Sequence, residues 1–508
     1  MRITLVSTYP HPIALGLRYV SAYLKAHGHD VQLLLMRSKR DTAEADFTPA
    51  LLERFVERLR GADLIGLSLM TNTFHRACVL TDAIRRGGIK TPIIWGGTHP
   101  TIAPEESLEV ADIVCVGEGE RPTLELVETL EAGRDPTSIA SLAFRRNGQT
   151  IHNPIAPLQE NLDEYPFPDY DLDKQWVAAK DHFEPASPHN LRGTLHRYRI
   201  ETTRGCPYRC AFCNNAVLLE LYRGKGRWVR KRSNENVIRE IESARARFPT
   251  IKAVNMVDDL FFIRSEGDME EFSRLYESRV NLPLELDAFP NTITRAKVRA
   301  LSHLPIALIS MGIQSGSPDT LRNVFQRRTP LEKIVEGINA FADHKIRAEY
   351  HYLVNNPFES DDSRIETLRF AATHHRGPAV LRIFPLQLYP GTPLYDRARA
   401  EGLIGERHTS AYERTYTGKT HLFGSQYLDV WLRVVWHLRN RGLPVGAVRR
   451  LVDCVTHPRV RWVLDRSWFV PVAYGLYRVW RFVSRKLIYQ PFIRPLARLR
   501  RKARHGVA

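Results

Sequence analysis

Cysteine is scarce in this chain, with six in 508 residues. So few thiols in so long a protein exclude a disulfide framework. Long apolar runs are missing from the C-terminal tail too: no uncharged stretch there approaches the roughly 18 residues of a bilayer-spanning helix. No G-x-G-x-x-G follows the first strand-like run, which makes a dinucleotide a poor candidate. Acidic residues are outnumbered, 56 against 73 Lys and Arg, for a formal net charge of +17. The 43% hydrophobic and 25% charged content is that of a globular protein, with bulk for two or three domains. Met1-Arg2-Ile3-Thr4-Leu5-Val6 enters a strand-like run without an apolar leader, and a cytoplasmic location is expected.

What cysteine there is clusters. Arg204-Gly205-Cys206-Pro207-Tyr208-Arg209-Cys210-Ala211-Phe212-Cys213 sets three thiols at the spacing Cys-x3-Cys-x2-Cys. A [4Fe–4S] cubane has four irons, so three thiolates leave one iron open to chemistry. The competing reading is half of a structural zinc site, which needs a fourth ligand. The nearest upstream histidine is His196, and no second Cys-x2-Cys pair occurs. Cys78, Cys115 and Cys454 are isolated and read as small core residues. Ligand count and spacing favour the iron–sulfur cluster.

Residues 1–133 alternate strand-like runs (Ile3–Ser7, Val31–Met36, Leu64–Leu69, Ile93–Trp95, Ile113–Val116) with helical patterns. That alternation predicts a parallel sheet covered on both faces, and five strands favour a flavodoxin-like doubly wound fold. Its ligand crevice lies at the carboxyl ends of the strands. Ser68, then Gly96-Gly97-Thr98-His99, then Gly117-Glu118 sit at those ends, where glycines let a large ligand approach the backbone. Any one such turn merely closes a βα connection; three on one rim point to a ligand site. Residues 134–195 are proline-punctuated, as in Tyr165-Pro166-Phe167-Pro168, and read as a linker.

Residues 196–405 hold a second series of six strand–helix units, fitting a partial (β/α)6 barrel of the TIM type with chemistry at the strands' carboxyl ends. Strand-like Tyr198–Thr203 runs directly into the cysteine loop. Ser233 is the expected cap of one helix, Ser317-Pro318 opens another, and Thr329-Pro330-Leu331-Glu332 reads as a capping box. Asp258-Asp259 and Gln314-Ser315 end strands on the same rim as the cysteines. Helix capping before Leu260 and ligand contact are both open for the two aspartates.

Leu15-Gly16, Gly28-His29-Asp30-Val31, Ser68-x-Met70, Gly96-Gly97-Thr98-His99-Pro100-Thr101 and Gly117-Glu118-Gly119-Glu120 resemble the cobalamin-binding domain of cobalamin-dependent radical S-adenosylmethionine enzymes. The cysteine loop and the chain through Tyr389-Pro390-Gly391-Thr392-Pro393 resemble their catalytic half, so the likeness spans about residues 1–405. The resemblance implies that Cys206, Cys210 and Cys213 hold a [4Fe–4S] cluster whose open iron chelates S-adenosylmethionine. It implies that Phe212, Asp258, Asp259, Gln314 and Ser315 contact that molecule, and that Ser68, Gly96, Gly97, Thr98, His99, Gly117 and Glu118 contact cobalamin. Asp258-Asp259 replaces the Gly-Gly-Glu of many relatives, and Gln314 replaces a glutamate. His11, in Ser7-Thr8-Tyr9-Pro10-His11-Pro12, does not match the loop that supplies a cobalt-ligating histidine, and no protein histidine on cobalt is expected. The implied activity is methylation of an unactivated carbon, with an electron donor of flavodoxin or ferredoxin type. Ring formation with the same cofactors is the alternative, and a non-enzymatic cobalamin-binding protein is the alternative of another class.

The resemblance stops before residues 406–508, expected as a helical, basic, aromatic C-terminal region. From Arg459 to Arg504 there are thirteen Lys or Arg against the single acid Asp465, interleaved with Trp462, Trp468, Phe469 and Trp480. Such a stretch suits a helix lying in a membrane interface. It also suits nucleic acid, a less favoured reading, or a solvated helix pair packed on the barrel. A lipid-like or other small-molecule substrate is the expected partner.

Overall fold

The computed structural model describes residues 1–37, 47–146, 148–377, 379–405, 411–412 and 427–465, with the isolated Val472 and Gly475. Five parallel strands form the centre of the first sheet: β1 (Arg2–Ser7), β2 (Asp30–Leu35), β3 (Leu64–Ser68), β4 (Ile93–Gly96) and β5 (Ile113–Cys115). They lie in the order β5-β4-β3-β1-β2, the flavodoxin-like order, with the switch point between β1 and β3. β1 is buried at every position after Arg2, as a strand covered by helices on both faces must be. Arg76, buried, donates to Thr8 O at 2.9 Å and Met36 O at 2.7 Å, satisfying carbonyls just past the ends of β1 and β2.

The stretch expected as a linker is ordered and adds strands at both edges of this sheet. β6 (Leu142–Arg146) and β7 (Gln149–His152) run antiparallel beside β5, while β8 (Gln175–Ala178) joins β2 and β9 (Phe183–Pro185) pairs with β8. Buried Arg18 fastens it, donating to Asp169 O at 2.6 Å and Gln175 Oε1 at 2.8 Å.

The second sheet has six parallel strands in sequence order: β10 (Arg197–Ile200), β13 (Ala253–Met256), β14 (Leu284–Ala288), β15 (Ile306–Gln314), β16 (Ala348–Val354) and β17 (Ala379–Pro385). Between the first two, β11 (Thr203–Arg204) and β12 (Arg230–Lys231) form a short antiparallel pair around the cysteine loop. Side-chain caps start the intervening helices: Ser233 Oγ accepts from Asn236 N, as expected, and Ser265, Thr294 and Ser360 act likewise. The expected capping box at Thr329 does not form. Pro330 is the cap, and Thr329 Oγ1 is buried without a partner. Ser317-Pro318 leads only into a single wide turn, Thr320–Val324.

Helices Tyr427–Asn440, Val445–Thr456 and Pro458–Leu464 follow, the first two contributing Tyr427, Leu432, Val448 and Val452 to the main core. Among the described residues no helix is long and apolar enough to cross a membrane. Most of the basic, aromatic tail lies outside the described residues; within them, Trp462 is 72% exposed.

Charge joins the two halves. Arg204, in β11, reaches Glu120 at 2.7 Å and Glu118 at 3.3 Å on the first sheet's rim, and Glu201 of its own domain at 2.8 Å. Glu118 also pairs with buried Arg230. Removing one partner of a buried ion network strands the others, at about 3–5 kcal/mol. Arg204→Met is therefore expected to lower urea-unfolding stability by about 3 kcal/mol or more. An unchanged midpoint would contradict the clasp.

Candidate functional site

The cysteine loop is held from four sides. Asp258, just after β13, accepts from Thr203 N at 2.8 Å and from the backbone N and hydroxyl of Thr202, tying the end of β13 to the end of β10. Arg264 donates to the same Thr202 hydroxyl at 2.9 Å. Gly205 has φ +88°, and a Cβ there would fall on the carbonyl of Trp228, whose indole donates to Cys206 O at 2.9 Å. Ala211 N bonds Phe325 O at 2.8 Å, and Leu394 N bonds Ala211 O at 3.0 Å. Cys213 then opens the helix Asn214–Leu221.

Cys206 and Cys210 are buried and Cys213 half-buried. Burial pushes the thiols of Cys206 and Cys213 up to about 12 and raises Cys210, where Arg327 opposes the effect. Three neutral thiols so close need a cation among them to ionise, and thiolates are the form that binds metal. Among the described residues no three His, Cys, Asp or Glu side chains converge on a single ion. In donor chemistry, three thiols on one loop fit a cubane that keeps one iron open.

Facing the loop across a crevice is the rim of the first sheet. The crevice encloses about 1230 Å³ of empty space, open mouth included. Ser68, Gly96, Gly97, Thr98, Gly117 and Glu118 line one side; Glu201, Arg204, Gly205, Asn215, Tyr222, Trp228 and Asp259 line the other. Gly97 has φ +102°, and a Cβ there would meet Leu69 O at 2.6 Å. Gly117 has φ +97°, and its Cβ would fall on the Tyr222 hydroxyl, which accepts from Glu118 N at 2.7 Å. This backbone-lined cradle lies at the switch point, where a doubly wound sheet takes its ligand.

Not every expected residue faces the crevice. Glu118 lines it, but its carboxylate is taken by Arg204 and Arg230. Burial works to raise its pKa, yet the two guanidiniums outweigh that and hold it below the usual carboxylate range. His99 is fully buried and does not line the crevice; it packs on Phe74 and Tyr412, with burial lowering its pKa to about 3. Asp258 is spent on Thr202 and Thr203 and does not cap the turn after Leu260. Asp259 does face the crevice, accepting from Asn215 Nδ2 at 2.8 Å and Gly205 N at 3.3 Å. Ser315 is 1% exposed, its hydroxyl shared with Glu359 and Thr367. Gln314 carries a left-handed φ of +72°, and its Oε1 is buried without a partner. Gln314 thus combines a strained backbone with an idle acceptor. Phe212 stands edge-on to Phe325 at 5.0 Å. His11 is exposed on its loop.

Arg204, Asn215, Tyr222, Trp228 and Arg327 escaped the sequence reading. The stacked pair Tyr222–Trp228, centroids 5.5 Å apart, walls one side of the crevice, and only its closeness to the cysteine motif could have flagged it. The second sheet also presents a polar face opposite its helices. Asn255 pairs in register with Glu285, Asp287 with Ser310, Ser310 with Glu349, and His351 with Arg382. Burial lifts the Asp287 carboxyl to about 6, with nearby His351 opposing.

Comparison with known proteins agrees with this geometry. Residues 1–127 match the family model of the B12 binding domain, and residues 200–371 that of the radical SAM superfamily. The chain is 26% identical over 77% of its length to an uncharacterized methyltransferase of Pyrococcus horikoshii, covering 79% of that protein. It is 24% identical over 74% of its length to the hopanoid C-3 methylase of Methylococcus capsulatus, covering 67% of it. Over 46% of its length it is 28% identical to the anaerobic magnesium-protoporphyrin IX monomethyl ester cyclase of Synechocystis, covering 44% of that protein. In fold it is similar to the radical S-adenosylmethionine methyltransferase TsrM of Kitasatospora setae (TM-score 0.63, 19% identity, 80% of this chain and 77% of that one). It is also similar to the cobalamin-dependent radical enzyme OxsB (TM-score 0.67, 16% identity, 96% and 72%).

Two outcomes are expected. After anaerobic reconstitution, Cys210→Ala loses the visible iron–sulfur absorbance while Cys115→Ala keeps it; equal spectra would contradict the ligand assignment. Gly117→Ala displaces Tyr222 and lowers the corrinoid bound per chain without lowering iron per chain.

Proposed function

The chain belongs to the cobalamin-dependent radical S-adenosylmethionine enzymes, and from that premise we propose that it methylates an unactivated carbon of a hydrophobic or membrane-associated substrate. The observation that carries the reading is the single crevice lined on one side by the B12-binding rim and on the other by the residues flanking the cysteine loop. The bound groups supply the bond chemistry: reductive cleavage of S-adenosylmethionine to a hydrogen-abstracting radical, and a methyl group carried on cobalt.

The chain's own residues bind, orient and exclude water. Cys206, Cys210 and Cys213 hold the cluster, and Asp258 fixes their loop without touching the reactants. Asp259, Gln314 and Phe212 would hold S-adenosylmethionine, a role supported by Asp259 lining the crevice and by the idle Oε1 of Gln314; Asn215 orients Asp259 through its amide. Ser68, Gly96, Gly97, Thr98 and Gly117 offer backbone and hydroxyl contacts to the corrinoid. Tyr222, Trp228 and the Arg204 network wall one side of the crevice, limiting the access of solvent to a reactive radical.

Relatives described as acting on a hopanoid and on bacteriochlorophyllide d support a largely apolar substrate. The polar face of the second sheet supports a charged or hydrogen-bonding group on the same molecule. The six singly wound strands support a partial barrel, with working domains 1–133, 196–405 and 406–508 around the 134–195 linker. Peripheral membrane contact of a cytoplasmic enzyme through the basic tail is part of the proposal, supported by exposed Trp462 beside Arg459 and Arg461.

The cyclase relatives favour one other reading, ring formation with the same cofactors. Co-products separate the two. Methylation is expected to release 5′-deoxyadenosine and S-adenosylhomocysteine in equal amounts per methylated product. Release of 5′-deoxyadenosine alone, with product formed, would overturn methyl transfer in favour of ring chemistry.

A further inference from the structure

A second cavity lies on the other side of the cysteine loop and shares no lining residue with the crevice between the domains. Pro207, Tyr208 and Arg209, the three residues between the first two cysteines, form one wall; Arg322, Arg327, Arg328 and Thr329 belong to the other. Aromatic stacking backs the wall. Tyr208 stacks on Phe289 with centroids 3.8 Å apart, and the Arg327 guanidinium lies 4.2 Å over the opposite partner of that stack, Phe289.

The charge is one-sided: four arginines line the groove, and Glu332 is the single acid. Arg209 spends part of its charge on Glu220 at 2.5 Å. Arg322 and Arg328 are exposed and have no carboxylate partner among the described residues. Unpaired arginines around a concave surface focus a positive potential that steers an acidic partner.

We propose that this groove docks an acidic one-electron carrier protein, which delivers electrons to the cluster through the Pro207–Arg209 wall. The inference rests on Cys206, Cys210 and Cys213 as cluster ligands. The balance is one electron for one: an anionic flavin hydroquinone on the donor loses one electron to become the neutral semiquinone, with no proton transferred, and the oxidised cluster is reduced by one unit. Because the groove is separate from the crevice, an electron can enter without opening the space where the radical forms.

Charge reversal tests this with reduced flavodoxin as the probe. Arg322→Glu/Arg328→Glu is expected to slow bleaching of the reconstituted cluster by flavodoxin hydroquinone on the order of tenfold or more at low ionic strength. Bleaching by dithionite should be unchanged, and raising salt should bring wild type down towards the variant. The cluster-free chain should bind oxidised flavodoxin, again more weakly in the variant, which separates docking from cluster assembly. Equal flavodoxin rates in the two proteins, or equal slowing with both reductants, would overturn the proposal. So would tighter binding of a single-stranded oligonucleotide than of flavodoxin to the same groove.

Discussion

The site depends on one largely buried guanidinium. Arg204 stands two residues before Cys206 and is shared by Glu118 and Glu120 of one domain and Glu201 of its own. A charge taken out of water is costly unless surrounded by partners, so the network is stable only when both domains are in place. Its electrostatics show the balance. The guanidiniums keep Glu118 below the usual carboxylate range despite burial, whereas burial lifts Glu201 to about 7 although Arg204 opposes it. The same residue that joins the domains thus fixes where the cysteine loop begins.

From that constraint the rest follows. With Arg204 seated on the rim, Tyr222 can lie over Gly117, and Trp228 can stack behind it while holding Cys206 O. The glycines opposite then become a wall of backbone. A reaction in which a radical and a methyl group must reach the same substrate carbon needs both bound groups on facing walls of one space, because misplacement is expensive in rate. The arginine-lined groove behind the loop completes the division of labour, with electrons on one side and carbon chemistry on the other.

Much of this was legible in the sequence. The five central strands of the first sheet, the six of the second, the Ser233 cap and the cysteine loop at a strand end all came from local pattern, because apolar periodicity and capping are local. The edge strands β6–β9 were not, since short polar strands such as Gln149–His152 acquire their state from the neighbour they pair with. Side-chain direction was the other blind spot. Glu118, His99, Asp258 and Ser315 sit near the expected places, but only the tertiary arrangement turns Glu118 to Arg204, buries His99 against Phe74 and spends Asp258 on Thr202. Arg327 carried no signal at all: it lies over a hundred positions from the thiol it faces.

The central claim is that cobalt and cluster share one crevice. Paramagnetic resonance on the full chain, loaded with cob(II)alamin and with the cluster reduced, tests it most directly. Two spins on facing walls of one cavity are expected to broaden or split each other's signals, and the interaction should vanish in Cys210→Ala while the corrinoid stays bound. Two unperturbed spectra that merely add would contradict the account.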